Sequence, residues 1–97
     1  MRFTWDPDKS KANEKHHDLS FEEARALFSP GNDYLELFDE THSEDEDRFI
    51  AIGPVTRGLV LVVYTEREPD EFRIISARWA TKREVQQYRA HMKGESR

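Results

Sequence analysis

Four stretches of this chain alternate apolar and polar residues with a period near two, and the links between them are too short to carry a crossover. They are Tyr34 to Phe38, Arg48 to Gly53, Leu59 to Arg67 and Phe72 to Arg78. The links are an acidic loop at Asp39–Asp47, a turn at Pro54–Gly58 and a turn at Glu68–Glu71. Consecutive strands joined in this way pair as hairpins, so a largely antiparallel sheet is expected. The apolar run from Leu59 to Tyr64 marks its strand as central.

Helical signals flank the sheet. A short alternating stretch, Arg2-Phe3-Thr4-Trp5, suits an edge strand, and Asp6-Pro7 then has the form of an N-cap followed by proline at the first helical position. The helix that follows, to His16 or His17, is polar throughout and belongs on the surface. Ser20-Phe21-Glu22-Glu23 is a capping box: the serine oxygen is expected to accept from the Glu23 N–H, and the Glu23 carboxylate to reach back. Phe21, Ala24, Leu27 and Phe28 follow at helical spacing, and Pro30-Gly31-Asn32-Asp33 stops the run. Thr81-Lys82-Arg83-Glu84 is a second capping box, opening a helix with Val85, Tyr88 and Met92 on one side and Gly94 at its end. The expected order is β-α-α-β-β-β-β-α, an α+β fold of three helices packed with a small antiparallel sheet. It forms one domain over 1–93, with a tail at 94–97.

Composition limits what such a domain can do. The 97 residues are 36% apolar and 36% charged, a thin core for a globular chain. A partner covering part of the surface is one way to complete such a core. There is no cysteine, so disulfides, thiolate nucleophiles and Cys-ligated metal sites are excluded. No apolar run approaches a membrane span and no signal-peptide core is evident, so a soluble cytoplasmic protein is the expectation. The net charge of −5 is unevenly spread. Residues 1–72 carry 8 Lys and Arg against 18 Asp and Glu, whereas 73–97 carry 7 against 2. The last quarter is therefore a candidate anion-binding surface, on an otherwise acidic chain.

Candidate chemistry rests on histidine and arginine. His16 and His17 are about 100° apart on a helix and cannot comfortably chelate one ion. No spaced metal-ligand set such as HExxH appears. His17 closes a polar helix beside a loop, where a general base can sit. Arg48, Arg67, Arg73 and Arg78 lie at or near strand ends among apolar neighbours. Arginine in such places forks onto a carboxylate or a phosphate, and both readings stay open. If the last hairpin closes at Glu68–Glu71, Arg67 faces Phe72 and Arg78 faces Leu61. The two arginines then lie about 20 Å apart at roughly 3.4 Å per residue, so one compact site need not hold both. Arg78 leads into the capped basic helix, where Lys82 and Arg83 and the free N–H groups of the first turn suit a phosphate.

An ordered set of strings runs through the chain. It comprises Phe3-x-Trp5-Asp6 with Lys9 and Asn13, His17 before Ser20-Phe21-x-Glu23-Ala24, and His42-Ser43-x-x-Glu46-x-Arg48. Ile52-Gly53, Val63-Tyr64-Thr65-x-Arg67 and Arg73-Ile74-Ile75-Ser76-Ala77-Arg78-x-Ala80-Thr81 continue it, and Glu84 and Tyr88 close it. From Phe3 to Tyr88 this resembles the BrnT toxins of bacterial type II toxin–antitoxin pairs. The resemblance implies a fold like that of the RelE ribonuclease toxins and RNA cleavage that arrests growth. It also implies a hetero-oligomer with an antitoxin carrying a ribbon-helix-helix DNA-binding part, DNA being reached only through that antitoxin. The family usually has Lys-His-Gly where this chain has His16-His17-Asp18, which removes an easy left-handed helix stop and a possible phosphate contact.

A ribonuclease working without metal must activate the 2′-hydroxyl, stabilise charge on the phosphate and protonate the leaving oxygen. His17, Arg78, Tyr88 and Arg67 are the candidate catalytic residues; Lys9, Arg73, Lys82 and Arg83 are candidates for binding the substrate. No cofactor is expected. Two other classes compete with this reading. One is a non-catalytic module that docks an antitoxin as co-repressor, motivated by the changes at His16 and Asp18. The other is a metal-dependent nuclease using the acidic loop, although that loop lacks the glycine of an EF-hand and is flanked by strands.

Overall fold

In a computed structural model, residues 2–40 and 46–94 of the chain are described. The elements are β1 (Arg2–Thr4), α1 (Pro7–His17), α2 (Phe21–Arg25) continued by a 3-10 turn at Ala26–Phe28, β2 (Leu35–Phe38), β3 (Phe49–Val55), β4 (Gly58–Glu68), β5 (Glu71–Trp79) and α3 (Lys82–Gly94). The expected order is therefore the observed one. Gly94 is the last helical residue, so any tail starts at 95, and 95–97 lie outside the described residues.

The sheet has the order β1-β5-β4-β3-β2. β2 to β5 form an antiparallel meander, as the short links require, but β1 runs parallel to β5. The sheet is largely antiparallel, as expected, and the parallel pairing of β1 makes it a mixed one. No hairpin ties β1 to a neighbour, so its partner was invisible to an argument built on loop length.

One face of the sheet packs under the N-terminal helices. Leu19, Phe21, Ala24 and Leu27 meet Ala51, Val60, Val62, Tyr64, Ile74 and Ala77 there, each at most 2% exposed. Phe28 seals the margin of this core, stacked on Phe3 at 5.0 Å and edge-on to Tyr34 and Tyr64 at 5.2 and 5.1 Å. α1 buries no residue. Hydrogen bonds fasten it instead: Ser10 Oγ accepts from the Phe21 N–H at 3.0 Å, and Asn13 Nδ2 donates to the Leu19 carbonyl at 2.8 Å. A helix without an apolar stripe is thus tied to the segment that does carry one.

Two bulges interrupt the β4–β5 ladder. Val63 pairs with Ser76 but Tyr64 pairs with Ile74, leaving Ile75 as the extra residue. Glu66, not Arg67, pairs with Phe72, and Arg67 is the extra residue of the second bulge. The expected register at Leu61–Arg78 holds. An extra residue reverses the side-chain alternation beyond it. Ile74 therefore joins Ala77 in the core, three positions away, while Arg73 turns to the opposite face beside Thr65.

α3 attaches less deeply. Its half-buried residues, Glu84, Val85, Tyr88, His91 and Met92, follow one helical stripe, and none is fully buried. Its capping box forms as expected: Glu84 N–H donates to Thr81 Oγ1 at 3.2 Å and the Thr81 N–H donates to Glu84 Oε1 at 2.9 Å. No helix among the described residues is long and apolar enough to cross a membrane.

Gly53 shows how tightly the helical layer is laid on β3. A Cβ there would lie 2.8 Å from Tyr34 Cβ and 2.9 Å from Leu27 Cδ1. Gly53→Ala should therefore lower stability by about 1–3 kcal/mol through overpacking. Urea unfolding measures this, and a variant as stable as the parent would show that the layer yields freely.

Candidate active-site groove

The face of the sheet away from the main core carries a groove of about 540 Å³. Ile50, Leu61, Val63 and Ile75 form its apolar floor, while Asp39, Arg48, Ser76, Arg78, Glu84 and His17 supply its polar groups. The alternation of β3, β4 and β5 sends these residues to this face, as the pairs Ile50–Val63, Val63–Ser76 and Leu61–Arg78 show. A hollow of about 630 Å³ on the helical side has Arg25 as its one cation, set over the Phe3 ring at 5.4 Å, and no histidine lines it.

Arg78 is oriented by Glu84. Nη1 and Nη2 each donate to one Glu84 carboxylate oxygen at 2.8 Å, and Nη1 also donates to the Trp79 carbonyl at 3.3 Å. Guanidinium has five N–H donors. Among the described residues, Nε–H and one Nη2–H have no acceptor, and together they form the side-on fork that fits two oxygens of a phosphate. The pair perturbs both members. Hydrogen bonding to Arg78 lowers the Glu84 carboxyl to about 2, assisted by the Thr81 N–H, and the carboxylate in turn raises Arg78. The capping box thus holds the carboxylate that holds the arginine.

His17 also lines the groove, exposed, at the last turn of α1. The missing glycine after it does not unmake the helix stop. Asp18 itself adopts the left-handed conformation, φ 55° and ψ 40°, and its N–H donates to the Glu14 carbonyl at 2.8 Å. A non-glycine residue accepts that conformation at some cost, and Asp and Asn are the residues best suited to it.

Arg57, in the β3–β4 turn, stabilises the unusual stop. It donates through Nη2 to the Asp18 carbonyl at 2.7 Å and through Nη1 to the Asp18 carboxylate at 3.1 Å. Its Nε and Nη2 also fork onto both Glu23 oxygens at 2.7 Å, and its Cζ lies 5.1 Å from the centroid of the Trp79 ring. The Glu23 carboxylate, expected to reach back to its own N-cap, is turned outward to Arg57, which lowers its pKa. Trp79 completes the clamp by donating Nε1–H to the His17 carbonyl at 2.8 Å. Sequence reasoning did not single out Arg57. Its partners lie 34 and 39 positions away in sequence, and no local pattern announces them.

The remaining expected site residues are more dispersed. Lys9 is exposed on α1, two turns before His17, and Lys82 and Arg83 are exposed in the first turn of α3 beside Glu84. Arg73 is half-buried on β5, in register with Thr65 at the far end of the groove's face. Tyr88 donates its hydroxyl to the Asp33 carbonyl at 3.1 Å, and Arg67 in its bulge approaches Glu46 at 3.9 Å. Neither lines the groove. Arg48, Asp39, Ser76 and Glu84 do; Arg48 had been singled out only as a strand-end arginine, and none of the four had been named among the candidate catalytic or substrate-binding residues. His42 and the middle of the acidic loop lie outside the described residues. Among the described residues, no group of three or more His, Asp or Glu could hold a metal ion.

Residues 5–84 match the family described as the ribonuclease toxin BrnT of type II toxin–antitoxin systems. The match ends at Glu84, so both partners of the Arg78 pair lie inside it and Tyr88 lies beyond it. The fold is similar to the crystal structure of the Brucella abortus ribonuclease toxin BrnT, with a TM-score of 0.62 at 22% identity, covering 84% of this chain and 99% of that one. No curated protein matches the sequence.

Two measurements probe the groove's supports. In Arg57→Ala, exchange of the Asp18 amide should accelerate and the thermal midpoint fall. Unchanged exchange would mean that Asp18 holds its conformation unaided. The second concerns acid. A carboxyl lowered by folding stabilises the native state above its unfolded pKa, about 4.3, and that contribution disappears as the pH falls toward 2. Stability should therefore decline over this interval, and Glu84→Gln should flatten the decline; an acid limb identical to the parent's would count against the pair.

Proposed function

We propose, from the premise that this chain belongs to the BrnT family of ribonuclease toxins of type II toxin–antitoxin systems, that it cleaves RNA in the groove between His17 and Arg78 without a metal ion. The observation that carries this reading is that these two side chains line one groove, with Arg78 held so that a phosphate-sized fork remains open.

The chemistry follows from the polar groups of the groove. His17 accepts the proton of the 2′-hydroxyl as its oxygen attacks phosphorus. The Nε–H and Nη2–H of Arg78 donate to the non-bridging oxygens, where negative charge grows in the transition state. The bond to the 5′-oxygen breaks, leaving a 2′,3′-cyclic phosphate. Tyr88, which lies outside the groove's lining, is our candidate to protonate the leaving oxygen, which requires its hydroxyl to leave the Asp33 carbonyl and turn into the groove. Lys9 lies about 12 Å from His17 along the helix axis, at 1.5 Å per residue, and so serves a neighbouring phosphate rather than the scissile one. Lys82, Arg83 and Arg73 extend the cationic path, and Arg67 at the hairpin end reaches a more distant phosphate.

In the cell, this activity arrests growth in the cytoplasm until a cognate antitoxin binds. The antitoxin carries a ribbon-helix-helix part and brings the pair to DNA. A predominantly acidic toxin surface suits a cationic antitoxin and draws it in by long-range attraction.

RNA cleavage by the antitoxin-stripped chain in excess chelator is the direct test. Cleavage should persist, should fall by about 10²–10³ in Arg78→Ala and should fall by about 10²–10⁴ in His17→Gln. Loss of cleavage in chelator, restored by a divalent ion, would replace this mechanism with a metal-dependent one. Full activity in both variants would move the reaction out of the groove.

A further inference from the structure

The sheet ends on β1 at one side and on β2 at the other, and the outer edge of β2 is the one that borders the groove through Asp39. Asp39 donates its N–H to the Arg48 carbonyl at 2.8 Å. Hydrogen-bonded and non-bonded pairs alternate along an antiparallel ladder. Leu37 opposite Ile50 and Leu35 opposite Ile52 therefore also turn their backbone groups inward. Glu36 and Phe38 consequently aim their N–H and C=O groups away from the sheet, as a template for another strand.

The side chains of this edge say what kind of strand fits. Leu37 and Phe38 are the large hydrophobic residues left exposed, at 39% and 48%, and alternation sends them to opposite faces. Natural edges are guarded by shortness, charged side chains, proline or a bulge; β2 is short and carries Glu36, but residues 34–40 contain no lysine or proline and β2 pairs without a bulge, so what guards it beyond its shortness is negative charge alone. Their charges are all acidic: Glu36, Asp39 and Glu40, with Asp33 just before, and no Lys or Arg occurs between Asp33 and Asp47. Edge-to-edge pairing of two copies would set these carboxylates against one another. Nucleic-acid phosphates meet the same repulsion. A cationic polypeptide meets attraction along its length and apolar contact on both faces.

We propose that the antitoxin docks on this edge: an extended segment in which Lys or Arg alternates with apolar residues adds beside β2 as a further strand. This rests on the toxin reading above, which supplies a polypeptide partner. The added strand pairs with the outward groups of Glu36 and Phe38, packs on Leu37 and Phe38, and sets its cations near Glu36, Asp39 and Glu40. Strand addition of this kind takes affinity from main-chain bonds and specificity from alternate side chains. Asp39 ends the edge and also lines the groove. A chain leaving the added strand in that direction is delivered to the groove mouth.

Amide hydrogen exchange on the toxin–antitoxin complex, co-expressed from its native two-gene unit with the partner confirmed by mass, is the test. The Glu36 and Phe38 amides should exchange at least about 10-fold more slowly than in the free chain. The double substitution Leu37→Lys and Phe38→Lys should weaken association by about 10-fold or more, with RNA cleavage by the stripped chain unchanged. Glu40→Lys, at an exposed position, gives a second readout should the double variant fold poorly; it should weaken association and reduce its salt dependence. A complex in which those two amides exchange as in the free chain would overturn the docking edge and leave the nuclease reading intact. Protection of the same amides in an antitoxin-free dimer would make the occupant a second copy and overturn the proposal. A chain that cleaves RNA and binds no antitoxin would overturn the proposal together with the antitoxin part of the reading.

Discussion

A single extra residue on β5 decides what each face of this sheet can do. With unbroken alternation from Ala77, position 75 would face the core, 74 the groove side and 73 the core again. A guanidinium would then be buried under α2 and an isoleucine exposed. The Ile75 bulge reverses the order, so Ile74 fills the core at 2% exposure and Arg73 stands on the opposite face with Thr65. An unpaired arginine in that core would cost several kcal/mol, far more than the ladder hydrogen bond disrupted by the bulge. The bulge thus reconciles an apolar face with a cationic one on the same strand.

The groove then depends on supports that do not line it. Arg57 and Trp79 grip the end of α1 from the sheet, and Thr81 fixes Glu84, which fixes Arg78. Both devices hold a candidate reacting group through a neighbour's backbone or carboxylate. They also show how this chain turns after His17 without a glycine. Asp18 takes the left-handed turn, and its carboxylate and carbonyl become the handles for Arg57. A glycine would offer only the carbonyl.

The legibility of the fold followed the range of the forces involved. Helix starts were readable because capping is local: Asp6 before Pro7, Ser20 with Glu23 and Thr81 with Glu84 act within a few residues. The meander was readable because short links admit few alternatives. The parallel pairing of β1 with β5 was not, since about seventy residues separate the partners and no loop length restricts them. The bulges occupy an intermediate position. Adjacent Ile74 and Ile75 break the alternation of β5 and signal a fault, but not its direction. For the site, Arg78 could be singled out because it borders a capped basic helix. Arg57 could not, because its importance comes from meeting Asp18, Glu23 and Trp79 in space.

The uneven charge of the chain acquires a spatial meaning from these elements. The basic last quarter supplies β5 and α3, which border the groove through Arg78 and present Lys82 and Arg83 beside it. The acidic stretch supplies β2, the opposite edge of the meander, whose carboxylates repel the polyanion suited to the groove. A nucleic acid and a cationic polypeptide would therefore be sorted before contact, each to its own side of one small sheet. Asp39 and Arg48 stand where the two regions meet, joined through the backbone and both lining the groove. On the reading proposed above, a polypeptide bound along the acidic edge that continues past them enters the groove that Arg78 lines. Inhibition can thus arise by occupation, without rearrangement of the sheet that carries the site.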